Sequence, residues 1–179
     1  VAPNLEVIVG SVRSGRFGAH VGGWVQKALL DTGVDVDLVD LAELNFPHMM
    51  DGHSDAAAFA ERVGWADAIV VVTPEYNHSY PGPLKSAIDS VRDEWKAKPV
   101  GFVSYGGMSG GLRAVEALRL VFAEPHAVTV RDFVSLHNPW GRKDYPGPAE
   151  RDALLGMLRQ LTWWARALGN ARATVPYPA

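Results

Sequence analysis

Apolar positions along this chain follow two rhythms. Short continuous runs at Leu5 to Val9, Ala68 to Thr73 and Val100 to Ser104 are rich in β-branched residues and predict strands buried on both faces. Val34 to Leu41 instead alternates as VDVDLVDL, the period of a strand with one wetter face, which places it toward a sheet edge. Ala127 to Val134 reads as a fifth strand. Between these runs the spacing becomes helical. Val21, Trp24, Val25, Ala28 and Leu29 fall on one face of Ala19 to Leu30, with Gly33 just beyond as a stop. Leu112, Val115, Leu118 and Phe122 repeat that spacing. Ser54 or Asp55 can cap a helix running to about Ala66, and Pro83 sits in the first turn of one running to about Arg92. Ala149 to Leu168 forms the last helix, with an extended tail from Asn170, while Asn45 to Asp51 and His137 to Pro148 are loops by their prolines.

Five alternations of strand and helix predict an α/β fold with a parallel sheet covered on both faces, in one domain spanning residues 1–179. For five units the economical arrangement is the flavodoxin-like three-layer sandwich with strand order 2-1-3-4-5. That order is taken by analogy, because periodicity does not supply it.

Composition narrows the function classes. There are no cysteines, which excludes disulfides, thiolate metal sites and cysteine nucleophiles, and fits a reducing cytoplasm. The formal charge of −3 is spread without a block of one sign, so neither nucleic acid nor an anionic membrane is an expected partner. No apolar stretch is long enough to span a bilayer, and the start lacks the basic-then-apolar pattern of a signal peptide. A cytoplasmic protein is the expectation.

In the predicted winding, the loops after the first, third and fourth strands open at one rim, where ligands of such sheets sit. The first, GSVRSGRFG from Gly10 to Gly18, offers the Ser11 and Ser14 hydroxyls, the Arg13 and Arg16 guanidinium groups, and backbone N–H groups at a helix start that favours an anion. It lacks the Lys and Ser or Thr of a Walker A loop, because Gly15 is followed by Arg16 and Phe17, and Val12 breaks the dinucleotide fingerprint. A monophosphate is what remains. In the third loop, Pro74 to Asn77 can present backbone polar groups with Tyr76 as a wall. In the fourth, Gly106 and Gly107 allow a planar ring to approach the backbone. Taken singly, Tyr76 and Tyr80 read as half-buried packing and Glu75 as a solvated carboxylate.

Together, GSVRSGR after the first strand, PEYNHSYPGPLKSAID after the third and SYGG after the fourth resemble the NADPH-dependent FMN reductase family, whose members include quinone, chromate and azo-dye reductases on a flavodoxin-like fold. The resemblance implies non-covalent FMN, with Ser11, Arg13, Arg16, Phe17 and Gly18 around its phosphate. The ring would lie between Pro74, Glu75, Tyr76 and Asn77 on one side and Ser104, Tyr105, Gly106 and Gly107 on the other. It further implies NADPH or NADH as co-substrate, a small-molecule electron acceptor, and a homodimer or homotetramer built on the helix after PEYN. Val91, Trp95 and the loop around Trp140 are the candidates for that contact. The chain departs from the family at Arg16, where Ser or Thr is common, at Gly18, where Asn is common, and at Ser86 and Ser90, which replace the amide and aromatic of LKNAIDW.

With a flavin present, no side chain need act as acid or base, and no Ser/His/Asp or paired-carboxylate arrangement stands out. His48 and His53 lack metal-ligand spacing and read as loop residues. Two alternatives share the fold: a non-enzymatic electron carrier of the flavodoxin type, against which the balanced charge and the two loop arginines argue, and a phosphate-binding regulator that has lost flavin.

Overall fold

A computed structural model describes residues 2–47 and 54–178; His48 and His53 fall outside them, as does part of the loop expected at Asn45 to Asp51. The elements are β1 (Leu5–Val9), α1 (Gly18–Leu30), β2 (Val36–Asp40), α2 (Ala56–Trp65), β3 (Ala68–Pro74), α3 (Gly82–Asp89), β4 (Pro99–Gly106), α4 (Leu112–Ala123), β5 (Val128–Thr129), β6 (Val134–His137) and α5 (Pro148–Thr174). All pairings between these strands are parallel, in the order β2-β1-β3-β4-β5, and β6 also pairs with β4.

Side chains of the central strands alternate between two cores, as period two requires. Leu5, Val7, Val70 and Val72 face α1 and α5, whereas Ile8, Ile69, Val71 and Phe102 face α2, α3 and α4. β1, β3 and β4 are buried along their whole lengths, which is why their sequences read as unbroken apolar runs. β2 is the edge strand on one side. Among the described residues, no helix is long and apolar enough to cross a membrane.

Three expectations are corrected. The single strand at Ala127 to Val134 is two short strands. The chain leaves β4 after the Val130 N–H has bonded the Val100 carbonyl, and it returns at Val134. In the gap, Arg119 of α4 donates to the carbonyls of Val130 (2.6 Å) and Arg131 (2.9 Å), while the Asp132 N–H bonds the Gln160 side chain of α5. The last helix does not stop at Leu168 but continues to Thr174: Arg172 donates to the Ala97 carbonyl, so tertiary contact sustains a turn that Gly169 alone would weaken. The helix opened by Pro83 ends at Asp89, where the Ser90 hydroxyl turns back to the Ala87 carbonyl at 2.8 Å.

Trp95, a candidate for subunit contact, is fully buried. Its indole N–H donates to the Ile88 carbonyl at 3.1 Å and its ring meets Phe59 and Phe122 edge-on. Glu6 in β1 is equally buried, with neither carboxylate oxygen hydrogen bonded among the described residues and Arg62 at 3.6 Å. Burial raises its pKa from 4.5 to about 8, against the pull of Arg62 and with the help of Asp37.

Candidate functional site

The register aligns the strand ends that matter. Val9 lies opposite Val72, Pro74 opposite Tyr105, and Gly106 opposite His137, so the loops after β1, β3 and β4 meet at one rim. They enclose a cavity of about 240 Å³. Arg13, Ser14, Gly15, Arg16 and Phe17 border it from the first loop, Pro74, Glu75 and Tyr76 from the third, and Tyr105, Gly106 and Gly107 from the fourth. Trp140, from the loop before α5, closes the remaining side.

In the first loop the two arginines have different fates. Arg16 forms an ion pair with Asp40 at the end of β2, so its charge is largely compensated. Arg13 has no carboxylate partner among the described residues and stacks over the Tyr76 ring, 5.4 Å from its centroid. The first turn of α1 contains no acidic residue and no side chain caps it, so the positive end of the helix and Arg13 both favour an anion here. Phe17 packs edge-on against Tyr105 at 5.9 Å and lies 6.4 Å from Trp140.

Ser11 and Gly18, both expected at a phosphate, do not border the cavity. Ser11 is fully buried and its hydroxyl accepts from Tyr105 Oη at 3.1 Å. A Cβ on Gly18 would stand 2.1 Å from Ser11 Oγ and 2.7 Å from Tyr105 Oη. Residue 18 must therefore lack a side chain for the tyrosine to reach across. Burial, only partly offset by the Ser11 bond, raises the Tyr105 pKa to about 12, so the phenol stays protonated and remains a donor.

The third loop is a tight turn. Tyr76 and Ser79 exchange backbone hydrogen bonds of 2.9 and 3.0 Å across Asn77 and His78, both at positive φ (49° and 67°), as a type I′ turn demands. Asn77 is exposed at its tip and does not border the cavity. Glu75, which alone reads as a surface carboxylate, is buried by the fourth loop: only 7 % of its side chain is exposed. It accepts from Ser109 Oγ (2.7 Å), the Arg113 N–H (3.1 Å) and Arg113 Nη1 (2.5 Å). Burial works to raise its pKa, yet these bonds prevail and hold it below the ordinary 4.5. Ser104 likewise sits behind the wall, with its hydroxyl on the Gly110 carbonyl at 2.8 Å.

Thus nine of the expected residues border one cavity, while Ser11, Gly18, Asn77 and Ser104 support it from outside. Ser109 and Arg113 escaped sequence reasoning because their partner Glu75 is 34 and 38 residues away. Trp140, in a loop expected at a subunit contact, borders the cavity itself. Among the described residues, no cluster of His, Asp or Glu could hold a metal ion.

The chain resembles known proteins throughout this region. The family model for NADPH-dependent FMN reductase matches residues 3–141. A Schizosaccharomyces pombe protein named NAD(P)H-dependent FMN reductase is 37 % identical over 123 residues; the match covers 62 % of this chain, which spans only about 62 % of that relative's length. The Escherichia coli protein named quinone reductase is 34 % identical over 75 % of this chain and 79 % of its own length. Among solved structures, FerB, a flavoenzyme NAD(P)H:(acceptor) oxidoreductase from Paracoccus denitrificans, shares the fold with a TM-score of 0.72 at 23 % identity, covering 93 % of this chain and 98 % of its own. A sheet of the expected order, a rim with a compensated and an uncompensated arginine, and a family match over most of the sequence agree: the chain belongs to the NADPH-dependent FMN reductase family.

Proposed function

We propose that this protein binds FMN at the rim and acts as an NAD(P)H-dependent oxidoreductase for small acceptors, quinones foremost. The observation that carries this reading is Arg13, an uncompensated guanidinium beside the acid-free start of α1, at the mouth of a slot whose far wall is side-chain-free Gly106 and Gly107. A phosphate suits the first position and a flat ring the second.

Backbone N–H groups of Ser14, Gly15 and Phe17, with Arg13, would hold the phosphate; the Arg16 N–H closes the loop on the Arg13 carbonyl at 3.2 Å, and its side chain, already paired with Asp40, would shape that end more than charge it. The ring would be bounded by Pro74, Glu75 and Tyr76 and by Tyr105, Gly106 and Gly107. Ser11, Gly18 and Ser104 act from behind by fixing Tyr105 and the glycine loop, and Asn77 sets the turn that presents Tyr76. FMN held there would supply hydride-transfer chemistry between NADPH or NADH and the acceptor. The protein's own task is to position the ring and shield one of its faces, and no side chain is assigned as acid or base.

Assembly as a homodimer or homotetramer belongs to the same proposal. Ile88 and Val91, at the end of α3 and just beyond it, form with Val121 and Pro125 the floor of an open concavity rimmed by Lys85, Asp89, Arg92 and Glu124, so a partner seated there would meet a small apolar floor and a charged rim. A cytoplasmic location accords with the absence of cysteine.

Anaerobic titration tests the reading. The purified protein with added FMN should be yellow and be bleached by NADPH alone, which an electron carrier dependent on a protein reductase would not show. Arg13→Ala should weaken FMN binding about tenfold, on the order of 1.4 kcal/mol, by loss of a charge-assisted phosphate contact. A preparation that stays colourless in excess FMN rejects the proposal.

A further inference from the structure

Arg13 and Arg16 leave the same loop and meet opposite kinds of neighbour. Asp40 brings a full negative charge to the Arg16 guanidinium and cancels most of its field. Among the described residues, Arg13 meets no carboxylate and spends none of its side-chain N–H groups. Its neighbour is the Tyr76 ring, with the guanidinium carbon 5.4 Å from the centroid. A ring face attracts a cation through its quadrupole and returns no net charge. The side chain is held, and its five donors stay available.

The ring end of this contact is rigid. Tyr76 opens the tight turn and is fixed by its two backbone bonds to Ser79 (2.9 and 3.0 Å), while Glu75 just before it is anchored by Ser109 and Arg113. Other arginines that lie on rings have their donors engaged. Arg142 stands closer, 3.6 Å from the Tyr145 centroid, but donates to the His137 carbonyl, and Arg119, over Phe102 and Phe133, donates to the carbonyls of Val130 and Arg131. Arg13 is exposed, and an exposed arginine with no neighbour loses much rotamer freedom when it closes on a phosphate. The Tyr76 ring removes part of that freedom beforehand. Such a contact at an exposed site is weaker than charge-assisted bonds from a guanidinium to phosphate, so it orients the arginine without competing with the anion.

We propose that Tyr76 is a positioning residue for the anion: besides walling the ring slot, it holds the Arg13 guanidinium at the cavity mouth, uncompensated and turned toward a terminal phosphate. This rests on the flavin reading above. One aromatic side chain then serves both ends of FMN, and phosphate affinity depends on a ring that gives the phosphate no hydrogen bond.

The first test needs no flavin. Inorganic phosphate, titrated against the amide resonances of Gly15 and Phe17, should bind roughly threefold more weakly to Tyr76→Leu than to the wild type, and as well to Tyr76→Phe, which keeps the ring face. The second compares FMN with riboflavin, which lacks the phosphate. Tyr76→Leu weakens both by removing a wall of the slot, but FMN should lose roughly threefold more than riboflavin, and Tyr76→Phe should restore the wild-type ratio. In an Arg13→Ala background the extra loss of FMN should vanish. Phosphate binding that is absent from the wild type or unchanged by Tyr76→Leu overturns the inference, as do equal losses of FMN and riboflavin, which would leave Tyr76 as a wall and the flavin reading intact. If phosphate binding depends on Tyr76 and neither flavin binds, the positioning role stands and the flavin reading falls.

Discussion

Tyr105, at the carboxyl end of β4, reaches beneath the first loop and donates its hydroxyl to Ser11 at 3.1 Å, joining positions 94 residues apart. The bond fixes the ring that separates the cavity from the core. Tyr105→Phe leaves the buried Ser11 hydroxyl without this partner, at a cost of about 1 kcal/mol in stability. The check is the urea midpoint of the variant, with an expected fall and an unchanged m-value.

The same bond dictates what residue 18 can be. Gly18→Ala places a methyl group into Ser11 Oγ and Tyr105 Oη, so a loss of about 1 to 3 kcal/mol is expected from overpacking. Adding Ser11→Ala and Tyr105→Phe removes both obstructing oxygens and should restore part of that loss. If the triple variant is no more stable than Gly18→Ala, the clash is not the cause.

Glu75 joins two walls of the cavity through Ser109 and Arg113. Glu75→Gln keeps the shape and removes the charge. Because Arg113 is half exposed, its loss of a partner is cushioned by water, and the expected cost is about 1 kcal/mol. FMN affinity should fall with it, and Arg113→Ala should reproduce much of the effect. Equilibrium unfolding and flavin fluorescence measure the two quantities, and an Arg113→Ala protein that binds FMN as the wild type does would detach this brace from the site.

Two glutamates give stability opposite slopes with pH. Glu6 keeps its proton in the folded protein up to about pH 8, while in the unfolded chain it ionises near its ordinary value of 4.5. Between those values the folded state binds more protons, so stability falls as pH rises through this window. Glu75 is the reverse: its lowered pKa adds stability that is lost as pH drops below 4.5. Glu6→Gln should therefore stabilise the protein at about pH 8.5, by roughly 1 kcal/mol or more, and bring little gain at about pH 4.5. Urea midpoints of the two proteins across this range decide the matter, and parallel curves would refute the assignment.

What could be read from sequence follows from how local each cause is. β1, β3 and β4 were legible because strands buried on both faces leave unbroken apolar runs, and the three loops stood out by residues that ordinary turns do not need. The break between β5 and β6 was not legible: Ala127 to Val134 reads as one strand, and the interruption comes from Arg119 and Gln160, which lie on other elements. The end of α5 depends on a carbonyl at Ala97. At the site, residue types pointed to the right rim but not to who faces inward. Ser11 looks like a phosphate hydroxyl until Tyr105 is seen to use it, and Arg16 looks like a free cation until β2 supplies Asp40.

Arg119 has one more effect. Where a short, interrupted border strand would leave bare carbonyls pointing outward, its guanidinium caps those of Val130 and Arg131 while lying over Phe102 and Phe133. A foreign β-ribbon seeking to extend the sheet there finds those acceptors already taken and a fixed positive charge in the way, so the molecule carries its own guard against edge-to-edge aggregation.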